Sequence, residues 1–518
     1  MSSSPKRAWV DVFLGALGVA VGWSSLTFPF GRDQGLFFYV AREWLKRGSI
    51  PYRDVFDDQT PGIYGVHAIA IGLFGETMWG IRVLDLIAVI AIGVLAASFS
   101  APPNRSPARG IRGASVLTTS ILYYGFSNFW NTAQVEIWYS AFALASIWAA
   151  RNVARPSRAE FFSGLLGGMA IVMKPPAAWF VACALTICIA RSLREKDRRV
   201  TLSGFRFVAG VAVPIAITLA YFAAHDALGT MAEVIIGAGG YVGRESSIDG
   251  VGGVINATLD GYRFYSPLAA LIFAALIIGM AWHHKRSEIV ERNRYAFAAL
   301  LGVLGFLAVA VQKRFFLFHW SVMIGPAVIV VANAILDIEK VTREHPQRVR
   351  IHVAAVVVIL AAWMTSGDSF RGWVDENRSA ASYIAGRIDR ATFTRRFSLD
   401  VLDFSYRDSE RVGLWLEDHS SADDSVAVRG FEPEIYAIAH RHYTGRFFWT
   451  IFLTSPTHGF HQVAWQREDA SALDARPPRF VVAIERAHVG PDAPETFLLR
   501  GYRVATQISG FVILERPQ

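Results

Sequence analysis

Acidic side chains are concentrated in residues 31–62, a short polar segment between two apolar stretches of the chain. Asp33 lies near its start, and Asp57 and Asp58 lie near its end. A positioned carboxylate can take a proton from a hydroxyl group while that oxygen forms a new bond. The residue types and their spacing therefore indicate a catalytic loop at a membrane surface.

A further acidic residue, Glu136, lies a few residues into an apolar stretch. An unpaired charge near the centre of a bilayer would cost about 2.5–3.5 kcal/mol, so this side chain is expected to face a polar cavity. Two interpretations stay open. Glu136 either takes part in catalysis or acceptor binding, or it is the structural partner of a buried cation.

The composition identifies the class of protein that carries these residues. Of the 518 residues, 53% are hydrophobic and 18% are charged, and the mean hydropathy is +0.32. These values are too apolar for an ordinary soluble protein. The net charge of +8 does not indicate nucleic-acid binding, because the basic residues lie mostly in short loops between apolar stretches. Cys183 and Cys188 share one apolar run, which excludes a disulfide framework and a CxxC metal site.

The apolar stretches predict a polytopic α-helical membrane protein with about eleven hydrophobic helices. Stretches long enough to span a bilayer run roughly over residues 8–29, 80–99, 113–129, 133–150, 205–224, 266–282, 295–311, 317–336 and 351–367. Two shorter stretches, 161–173 and 177–190, meet at Lys174, which two prolines follow. Prolines cannot continue a helix there, so we expect two short helices that reach only partway up from one side.

The distribution of lysine and arginine predicts the orientation of the chain. The most basic of the short loops fall on the same side as Lys6 and Arg7 near the N-terminus. Because positively charged loops remain in the cytoplasm, the N-terminus is expected there. The outward side then receives residues 31–62, Lys174, a long loop at 225–263, a turn at 312–316 and everything after about residue 365.

The chain becomes polar after the last apolar stretch, which predicts two domains. Residues 1–367 would form a transmembrane catalytic domain with an external loop at 31–62, and residues 368–518 a small extracytoplasmic α/β domain. In the second domain, patterns of apolar residues predict helices near 406–419 and 432–440 and strands within 425–430, 479–485 and 510–516. Residues 468–478 are rich in Asp, Ala and Pro and are expected to form a surface loop.

Within residues 31–62, a helix is predicted to run up to Gly48, because its side chains divide into two faces at helical spacing. The apolar face contains Leu36, Phe37, Val40, Ala41, Trp44 and Leu45, and the charged face contains Arg42, Glu43, Lys46 and Arg47. A helix of this kind is expected to lie on the membrane surface.

Several motifs in the loop occur in a fixed order. The pattern D-Q-G-x-F-x-Y-x-A begins at Asp33, P-Y-R-D-x-F-D follows at 51–57, and P-G-x-Y follows at 61–64. This order resembles the first external loop of GT-C fold glycosyltransferases, in particular the group of protein O-mannosyltransferases, aminoarabinose lipid A transferases and rhizobial lipopolysaccharide core transferases. The resemblance extends to N-x-A-Q-V-E at 131–136, K-P at 174–175, R-F-F-L-F-H-W at 314–320 and R-G-F-E-P-E-I-Y at 429–436.

The resemblance implies an enzyme of the bacterial inner membrane that transfers a sugar from a polyprenyl-phosphate donor to a lipid, glycan or protein acceptor of the cell envelope. Asp33 matches the residue expected to be the general base, and Asp57 matches a second acidic position. Asp58 and Tyr64, in the same loop, are candidates for substrate binding. The acidic residues could hold a divalent cation, but relatives of this kind are expected to need no obligatory metal.

One position departs from the pattern of these families. Relatives often read D-H-K-P-P-G where this chain has D-D-Q-T-P-G at 57–62, so the lysine expected near the donor phosphate is missing. Either other cations stabilise the leaving phosphate, or the donor is held differently. The candidates on the outward side are Lys174, Arg244, Arg263, Lys313, Arg314 and His319.

Simpler roles and other functions stay open for these residues. Lys174 could merely extend to the membrane interface, and Asp57 and Asp58 could only cap the helix that follows. A membrane transporter or lipid flippase would predict charges at mid-membrane and inverted repeats, and neither is clear in the sequence. A non-catalytic scaffold that displays the C-terminal domain would have no need of the acidic loop.

Overall fold

The structure is a computed structural model. It describes residues 8–103, 105–108, 110–153, 155–194, 200–244, 248, 250–266, 268–286, 288–344, 361, 364–365, 367–454, 461–484 and 492–517. Seven helical segments within these ranges are long and apolar enough to cross a membrane: Trp9–Thr27, Met78–Phe99, Pro175–Arg194, Val200–Ala224, Leu268–Lys285, Ile289–Ala310 and Leu317–Lys340. The prediction of a multi-pass α-helical membrane protein is confirmed.

Helices dominate the chain up to residue 384. In chain order they are α1 (Ala8–Gly22), α2 (Arg32–Arg47), α3 (Gly62–Phe74), α4 (Met78–Phe99), α5 (Ile111–Tyr124), α6 (Val135–Asn152), α7 (Pro156–Met173), α8 (Ala178–Arg194), α9 (Val200–Ala224), α10 (Leu228–Arg244), α11 (Gly250–Tyr265), α12 (Leu268–Lys285), α13 (Ile289–Ala310), α14 (Ile324–Glu344) and α15 (Asp368–Ile384). Short 3₁₀ segments at Trp23–Thr27, Pro175–Ala177 and Leu317–Met323 adjoin α1, α8 and α14.

The predicted number of about eleven spans is not confirmed. The stretches at 113–129, 133–150 and 161–173 do form helices α5, α6 and α7, but these are not among the segments apolar and long enough to cross. Helix α5 has 14 residues and is therefore about 21 Å long, against a hydrocarbon core of about 30 Å. The stretch at 351–367 lies mostly outside the described residues.

The predicted break at Lys174 is confirmed, since α7 ends at Met173 and a 3₁₀ turn at Pro175–Ala177 precedes α8. A proline has no amide hydrogen to donate, so the ladder of helical hydrogen bonds cannot continue through both prolines. The two helices are longer than expected. With 18 and 17 residues they are each about 26 Å long, which is most of the thickness of a bilayer rather than part of it.

The chain folds into two compact units. The first unit contains Met1–Leu26, Arg82–Thr218 and Ser246–Ala381, and the second contains Thr27–Ile81, Leu219–Glu245 and Ser382–Gln518. In the first unit, α6 and α7 are joined by a pair of fully buried serines. Ser146 Oγ donates to Ser163 O at 2.7 Å, and Ser163 Oγ donates to Ser146 O at 2.8 Å. In the second unit, the loop at 31–62 groups with the C-terminal residues.

The C-terminal part of the second unit is built on a four-stranded sheet. Its helices are α16 (Arg390–Thr394), α17 (Tyr406–His419), α18 (Glu434–Ala439), α19 (Ile451–Thr454), α20 (Gln462–Ala475) and α21 (Pro494–Leu499), and its strands are β1 (Ser398–Leu399), β2 (Phe404–Ser405), β3 (Val426–Arg429), β4 (Phe480–Ile484), β5 (Arg503–Ile508) and β6 (Phe511–Glu515). The sheet order is β3-β4-β6-β5, with β3 parallel to β4 and β6 antiparallel to its neighbours. The predicted strands correspond to β3, β4 and β6, and the predicted helices to α17 and α18.

Two segments that were predicted to be loops are helical. Residues 468–478 were expected at the surface, but most of them belong to α20, which buries Trp465, Asp469 and Leu473 at a spacing of four residues. Most of the predicted loop at 225–263 forms α10 and α11. The glycines of this segment led to the wrong prediction. A glycine inside a helix lowers its stability by only about 1 kcal/mol, and apolar neighbours can offset that cost.

Candidate active site

Asp33 lies in the first turn of α2. Gly31 precedes the helix with an extended backbone, and its amide donates to Gln34 Oε1 at 2.9 Å. The first turn of a helix has amides without helical partners and the positive end of the helix dipole. The half-buried carboxylate of Asp33 is therefore placed where the backbone favours negative charge.

The residue beside it, Arg32, fixes the start of α2 to the C-terminal part of the second unit. Arg32 Nη2 lies 2.6 Å from Glu432 Oε1, and Nη1 donates to Leu402 O at 3.0 Å. Its guanidinium also lies 5.5 Å from the ring centre of Phe404 and 5.2 Å from that of Phe431. An arginine held by a carboxylate, a carbonyl and two rings has little freedom, so the backbone next to Asp33 is held firmly.

Helix α2 was expected to lie on the membrane surface, and this prediction was wrong. Its residues from Gln34 to Glu43 are all buried, including the charged pair Arg42 and Glu43. Arg42 donates to the carbonyl oxygens of Tyr436 and Arg441, the first at 3.0 Å. The periodicity of a helix is the same whether the helix lies on a membrane surface or in a protein groove. It therefore could not reveal a partner that covers both faces of α2.

Gly35 of the D-Q-G motif allows α2 to approach α18 closely. A Cβ at residue 35 would lie 2.8 Å from the amide nitrogen of Glu434 and 3.1 Å from its Cα. Both are backbone atoms that cannot turn away. Glu434 is itself fully buried, and burial together with the neighbouring Glu432 raises its pKa to about 8. The motif residues 33–41 and 429–436 thus meet in one packed region.

Asp57 is buried and hydrogen-bonded at both carboxylate oxygens. Tyr64 Oη lies 2.9 Å from Asp57 Oδ2, and the amide of Asp58 donates to Oδ1 at 2.9 Å. Burial and the adjacent carboxylate of Asp58 raise the pKa of Asp57 well above its usual value. Asp57 therefore keeps its proton to a higher pH than an ordinary aspartate does, and Asp58 is the more exposed acid of the pair.

The tyrosines around Asp57 agree with a protonated carboxyl group. Tyr64 Oη lies 3.1 Å from Gln59 O as well as close to Asp57, and Tyr52 donates to the same Gln59 carbonyl at 2.6 Å. Tyr64 has one hydroxyl hydrogen for two acceptors. Both contacts are satisfied if Asp57 donates to Tyr64 and Tyr64 donates to Gln59.

The loop that carries Asp57 is attached to residues near the C-terminus. The amide of Phe56 donates to Arg446 O at 2.9 Å, and Trp449 Nε1 donates to Phe56 O at 3.1 Å. Arg446 Nε donates to Tyr52 O at 2.7 Å. Backbone groups that precede the acidic residues are thus paired with this part of the chain, which helps to fix the position of Asp57 within the second unit.

In the first unit, Glu136, Lys174 and His319 come together. Glu136 is the second residue of α6, Lys174 occupies the break between α7 and α8, and His319 lies in the 3₁₀ segment before α14. Lys174 Nζ lies 2.5 Å from Glu136 Oε1, and His319 Nε2 lies 3.7 Å from the same oxygen. Among the described residues, Glu136 Oε2 and His319 Nδ1 are buried without a hydrogen-bond partner.

The turn that leads to His319 has an unusual backbone. Lys313 and Phe315 adopt positive φ angles of 53° and 47°. Residues other than glycine, asparagine and aspartate rarely adopt this conformation, and strain of this kind is concentrated at functional sites.

Arg314 lies between Lys313 and Phe315 in the chain, within electrostatic range of His319. Three of the predicted cations, Lys174, Arg314 and His319, therefore belong to one neighbourhood.

One predicted cation, Arg263, is not brought into this group. Arg263 is exposed on α11 and pairs with Asp260 at 3.2 Å. Arg244 is the last residue of α10, and its side chain lies outside the described part of the structure. Within the described ranges no three His, Cys, Asp or Glu residues lie close enough together to hold a metal ion.

The sequence prediction overlooked Arg82 and Asp85, which are fully buried in the apolar helix α4. Two opposite charges one helical turn apart inside a hydrophobic stretch were the signal that could have revealed them, because such residues are costly in a membrane and are usually kept for function. Their hydrogen bonds end on the segment that precedes Glu136.

A similar arrangement of helices and sheet occurs in known proteins. No family model and no curated protein matches the sequence. The structure is similar to the crystal structure of ArnT from Cupriavidus metallidurans bound to undecaprenyl phosphate, with a TM-score of 0.55 and 12% identity over 98% of this chain and 99% of that chain. The apo state of the same ArnT gives a TM-score of 0.54 and 13% identity over 99% and 100%.

The oligosaccharyltransferase AglB from Archaeoglobus fulgidus, in complex with an inhibitory peptide and a dolichol-phosphate, gives a TM-score of 0.48 and 10% identity over 99% of this chain and 74% of that chain. At this level of identity, the agreement with ArnT establishes the fold and leaves the reaction open. The chain has the GT-C fold, as the motifs of residues 31–62 predicted.

Proposed function

We propose that the chain is an integral membrane glycosyltransferase that moves a sugar from a polyprenyl-phosphate donor to an acceptor on the outer side of the cytoplasmic membrane. The acceptor is a lipid, glycan or protein of the cell envelope. The observation that carries the proposal is the agreement of the fold, over almost the whole of both chains, with an ArnT that binds undecaprenyl phosphate.

Lys174 is assigned to the lipid phosphate. Its side chain is 17% exposed, so it is open enough to reach a ligand and buried enough for its charge to be effective. Arg314 and His319 belong to the same neighbourhood, and Lys313 extends from the adjacent turn. These cations supply the positive charge that Gln59 does not, and they stabilise the phosphate as it leaves.

Glu136 is assigned to the orientation of Lys174, because one of its carboxylate oxygens is already engaged by that ammonium. This favours the interpretation of Glu136 as the partner of a cation over a role as a general base. Arg244 and Arg263 are left as weaker candidates for donor binding, since Arg263 pairs with an exposed Asp260.

Asp33 is assigned the role of general base. The acceptor oxygen forms a bond to the anomeric carbon while the bond from that carbon to the phosphate oxygen breaks. The acceptor proton goes to Asp33, and the electron pair of the broken bond stays on the lipid phosphate. Asp57, Asp58 and Tyr64 shape the substrate pocket, and Asp57 is the less suitable base because its raised pKa favours the protonated form.

The orientation and the metal independence of the enzyme are part of the same proposal. The N-terminus lies in the cytoplasm. Residues 368–518 and residues 31–62 face outward, and the C-terminal residues help to recognise the acceptor. No divalent cation is required, because basic side chains are available to the leaving phosphate. Activity that disappears with EDTA and returns with a metal would contradict this part.

Purified protein in detergent or liposomes, supplied with radiolabelled polyprenyl-phosphate sugars and candidate acceptors, tests the proposal. Asp33→Asn is expected to lower the transfer rate by about 100-fold to 10,000-fold, the usual contribution of a general base. The matched control is Asp368→Asn, the same substitution in the first turn of α15, where the side chain is fully exposed. It is expected to leave the rate unchanged.

Two results would count against the proposal. Full activity of Asp33→Asn would remove Asp33 as the base. Absence of transfer with every donor, combined with movement of lipid or solute across liposomes, would identify a transporter or flippase instead.

A further inference from the structure

Arg82 and Asp85 occupy an unusual place for charged residues. Both belong to the membrane-spanning helix α4, and both have side chains with no exposed surface. They lie one turn apart, so their charges partly offset each other. A pair of buried charges adds little stability compared with apolar residues of the same size. Their presence in a span therefore calls for a purpose other than stability.

Arg82 holds the backbone of the segment that leads into α6. Its Nη1 donates to Thr132 O at 3.0 Å and to Thr132 Oγ1 at 2.7 Å, and its Nη2 donates to Phe129 O at 3.1 Å. These residues belong to no helix. One planar guanidinium satisfies both carbonyls at once, which fixes their spacing and direction.

Asp85 holds the next residue of the same segment. Its Oδ1 accepts the amide hydrogen of Ala133 at 3.1 Å. Ala133 has a φ of 55°, a left-handed conformation that is unfavourable for an alanine. Tyr123 and Tyr124 each donate a hydroxyl hydrogen to the carboxylate at 2.9 Å and keep it in place. A strained residue is thus maintained by a buried hydrogen-bond network.

The strained segment ends where the Lys174 group begins. Ala133 is three residues before Glu136, and α6 starts at Val135. The direction of the backbone at Phe129–Ala133 therefore sets the direction in which α6 begins, and with it the position of the Glu136 carboxylate beside Lys174. A shift of about 1 Å in such a group is enough to lower the efficiency of a site by up to about 100-fold.

We infer that Arg82 and Asp85 are positioning residues, which fix the segment before α6 so that Glu136 presents Lys174 to the lipid phosphate. They touch neither substrate nor reacting atoms. The inference rests on the proposed function for the identity of the ligand, and it adds a specific consequence: the affinity for the lipid phosphate depends on two residues of a different helix.

The direct test is Asp85→Asn in the full-length protein, with affinity for undecaprenyl phosphate measured by native mass spectrometry and by donor KM. We expect the affinity to fall by about 10-fold to 100-fold, while the acceptor KM stays the same. A merely destabilised protein would have fewer active molecules, which lowers the apparent kcat and changes neither KM. The control Asp11→Asn removes a carboxylate that also accepts a backbone amide in the first unit, from Gly113 at 3.0 Å, but far along the chain from Glu136.

Two neighbouring tyrosines offer a matched pair. Tyr123 and Tyr124 are both fully buried and both donate to Asp85 at 2.9 Å, but only the Tyr123 hydroxyl also accepts the amide of Ala133, at 3.0 Å. Tyr123→Phe is therefore expected to weaken lipid-phosphate binding more than Tyr124→Phe, at a similar thermal stability. Equal effects of the two substitutions would overturn the inference.

Hydrogen exchange separates this inference from the proposed function. The peptide that covers residues 128–136 is expected to exchange faster in Asp85→Asn and in Tyr123→Phe than in the wild type or Tyr124→Phe. If the wild type transfers no sugar, the proposed function fails, but the exchange measurement still tests whether Asp85 fixes the segment before α6. Unchanged exchange of this peptide in Asp85→Asn would overturn the positioning role even in an active glycosyltransferase.

Discussion

The ammonium of Lys174 lies 2.5 Å from Oε1 of Glu136, but the two partners are not equally buried. The glutamate side chain is 1% exposed and the lysine side chain 17%. Removal of either partner leaves a different charge behind. A lysine with access to solvent can be hydrated, whereas the carboxylate cannot.

This asymmetry predicts that Lys174→Met destabilises the protein more than Glu136→Gln. The first substitution leaves a buried unpaired carboxylate, which costs about 3–5 kcal/mol. The second leaves an ammonium that can turn toward water. Thermal unfolding in detergent measures the difference, and the double variant is expected to recover most of the loss. Equal losses in the two single variants would contradict the unequal burial of the pair.

Asp57 predicts a pH-dependent stability of definite sign. Its pKa is raised by burial and by Asp58, so the folded protein binds this proton more tightly than the unfolded chain. The stabilisation is complete below the unfolded pKa of about 4 and is lost as the pH rises through the folded pKa. Asp57→Asn has no such loss. Its stability relative to the wild type is therefore expected to increase with pH.

Asp54, three residues earlier, provides a control of the opposite sign. Burial acts to raise its pKa, but hydrogen bonds from Arg53 and from the amide of Ile50 outweigh burial and lower the pKa. Its contribution to stability is present above the unfolded pKa and is lost as the pH falls. Asp54→Asn should therefore be less stable than the wild type at neutral pH and equal to it in acid. The same slope for both variants would contradict the assignments.

Gly35→Ala is expected to destabilise the protein by about 1–3 kcal/mol, because the new Cβ would overlap backbone atoms of Glu434. The matched control is Gly65→Ala in α3, where a Cβ has no atom within 4 Å. There, alanine should stabilise the helix by about 0.5–1 kcal/mol. Chemical or thermal unfolding of the two variants measures the contrast. A neutral Gly35→Ala would mean that α2 and α18 are farther apart.

Lys313→Asn is expected to improve stability and impair binding at the same time. Lys313 is exposed with a φ of 53°, and asparagine adopts this conformation more readily, which gains up to about 1 kcal/mol. Loss of the charge should weaken the affinity for undecaprenyl phosphate. Lys46→Asn is the control, since it removes the same charge from the last turn of α2 and should cost a few tenths of a kcal/mol. Unchanged affinity in Lys313→Asn would leave Lys313 outside the phosphate site.

The parts of the fold that depend on local sequence could be predicted. The two prolines after Lys174 interrupt the helix in any tertiary context, and alternating apolar residues identify β3, β4 and β6. The helix that follows Asp33 was also predicted from its own periodicity. Each of these features is determined by neighbours a few residues away.

Features that depend on distant residues could not be predicted. The burial of α2 requires residues 434–443, and the helical state of α20 depends partly on the pairing of Asp469 with Arg429 at 2.7 Å. The meeting of Glu136, Lys174 and His319 depends on three separate elements. The sequence contains the residue types of such a group but not the contacts that assemble it.

The attachment of α2 to the C-terminal residues also imposes a delay during synthesis. Tyr39 Oη accepts the amide hydrogen of Tyr443, a residue 404 positions later in the chain. At about 5–20 residues per second, the ribosome needs roughly 20–80 s to reach it. Throughout that interval the residues that cover α2 have not yet been synthesised, although ten residues of α2 are buried in the folded protein. The membrane-spanning helices are inserted during the same interval. Completion of the second unit therefore depends on the synthesis of Tyr443 and the residues around it.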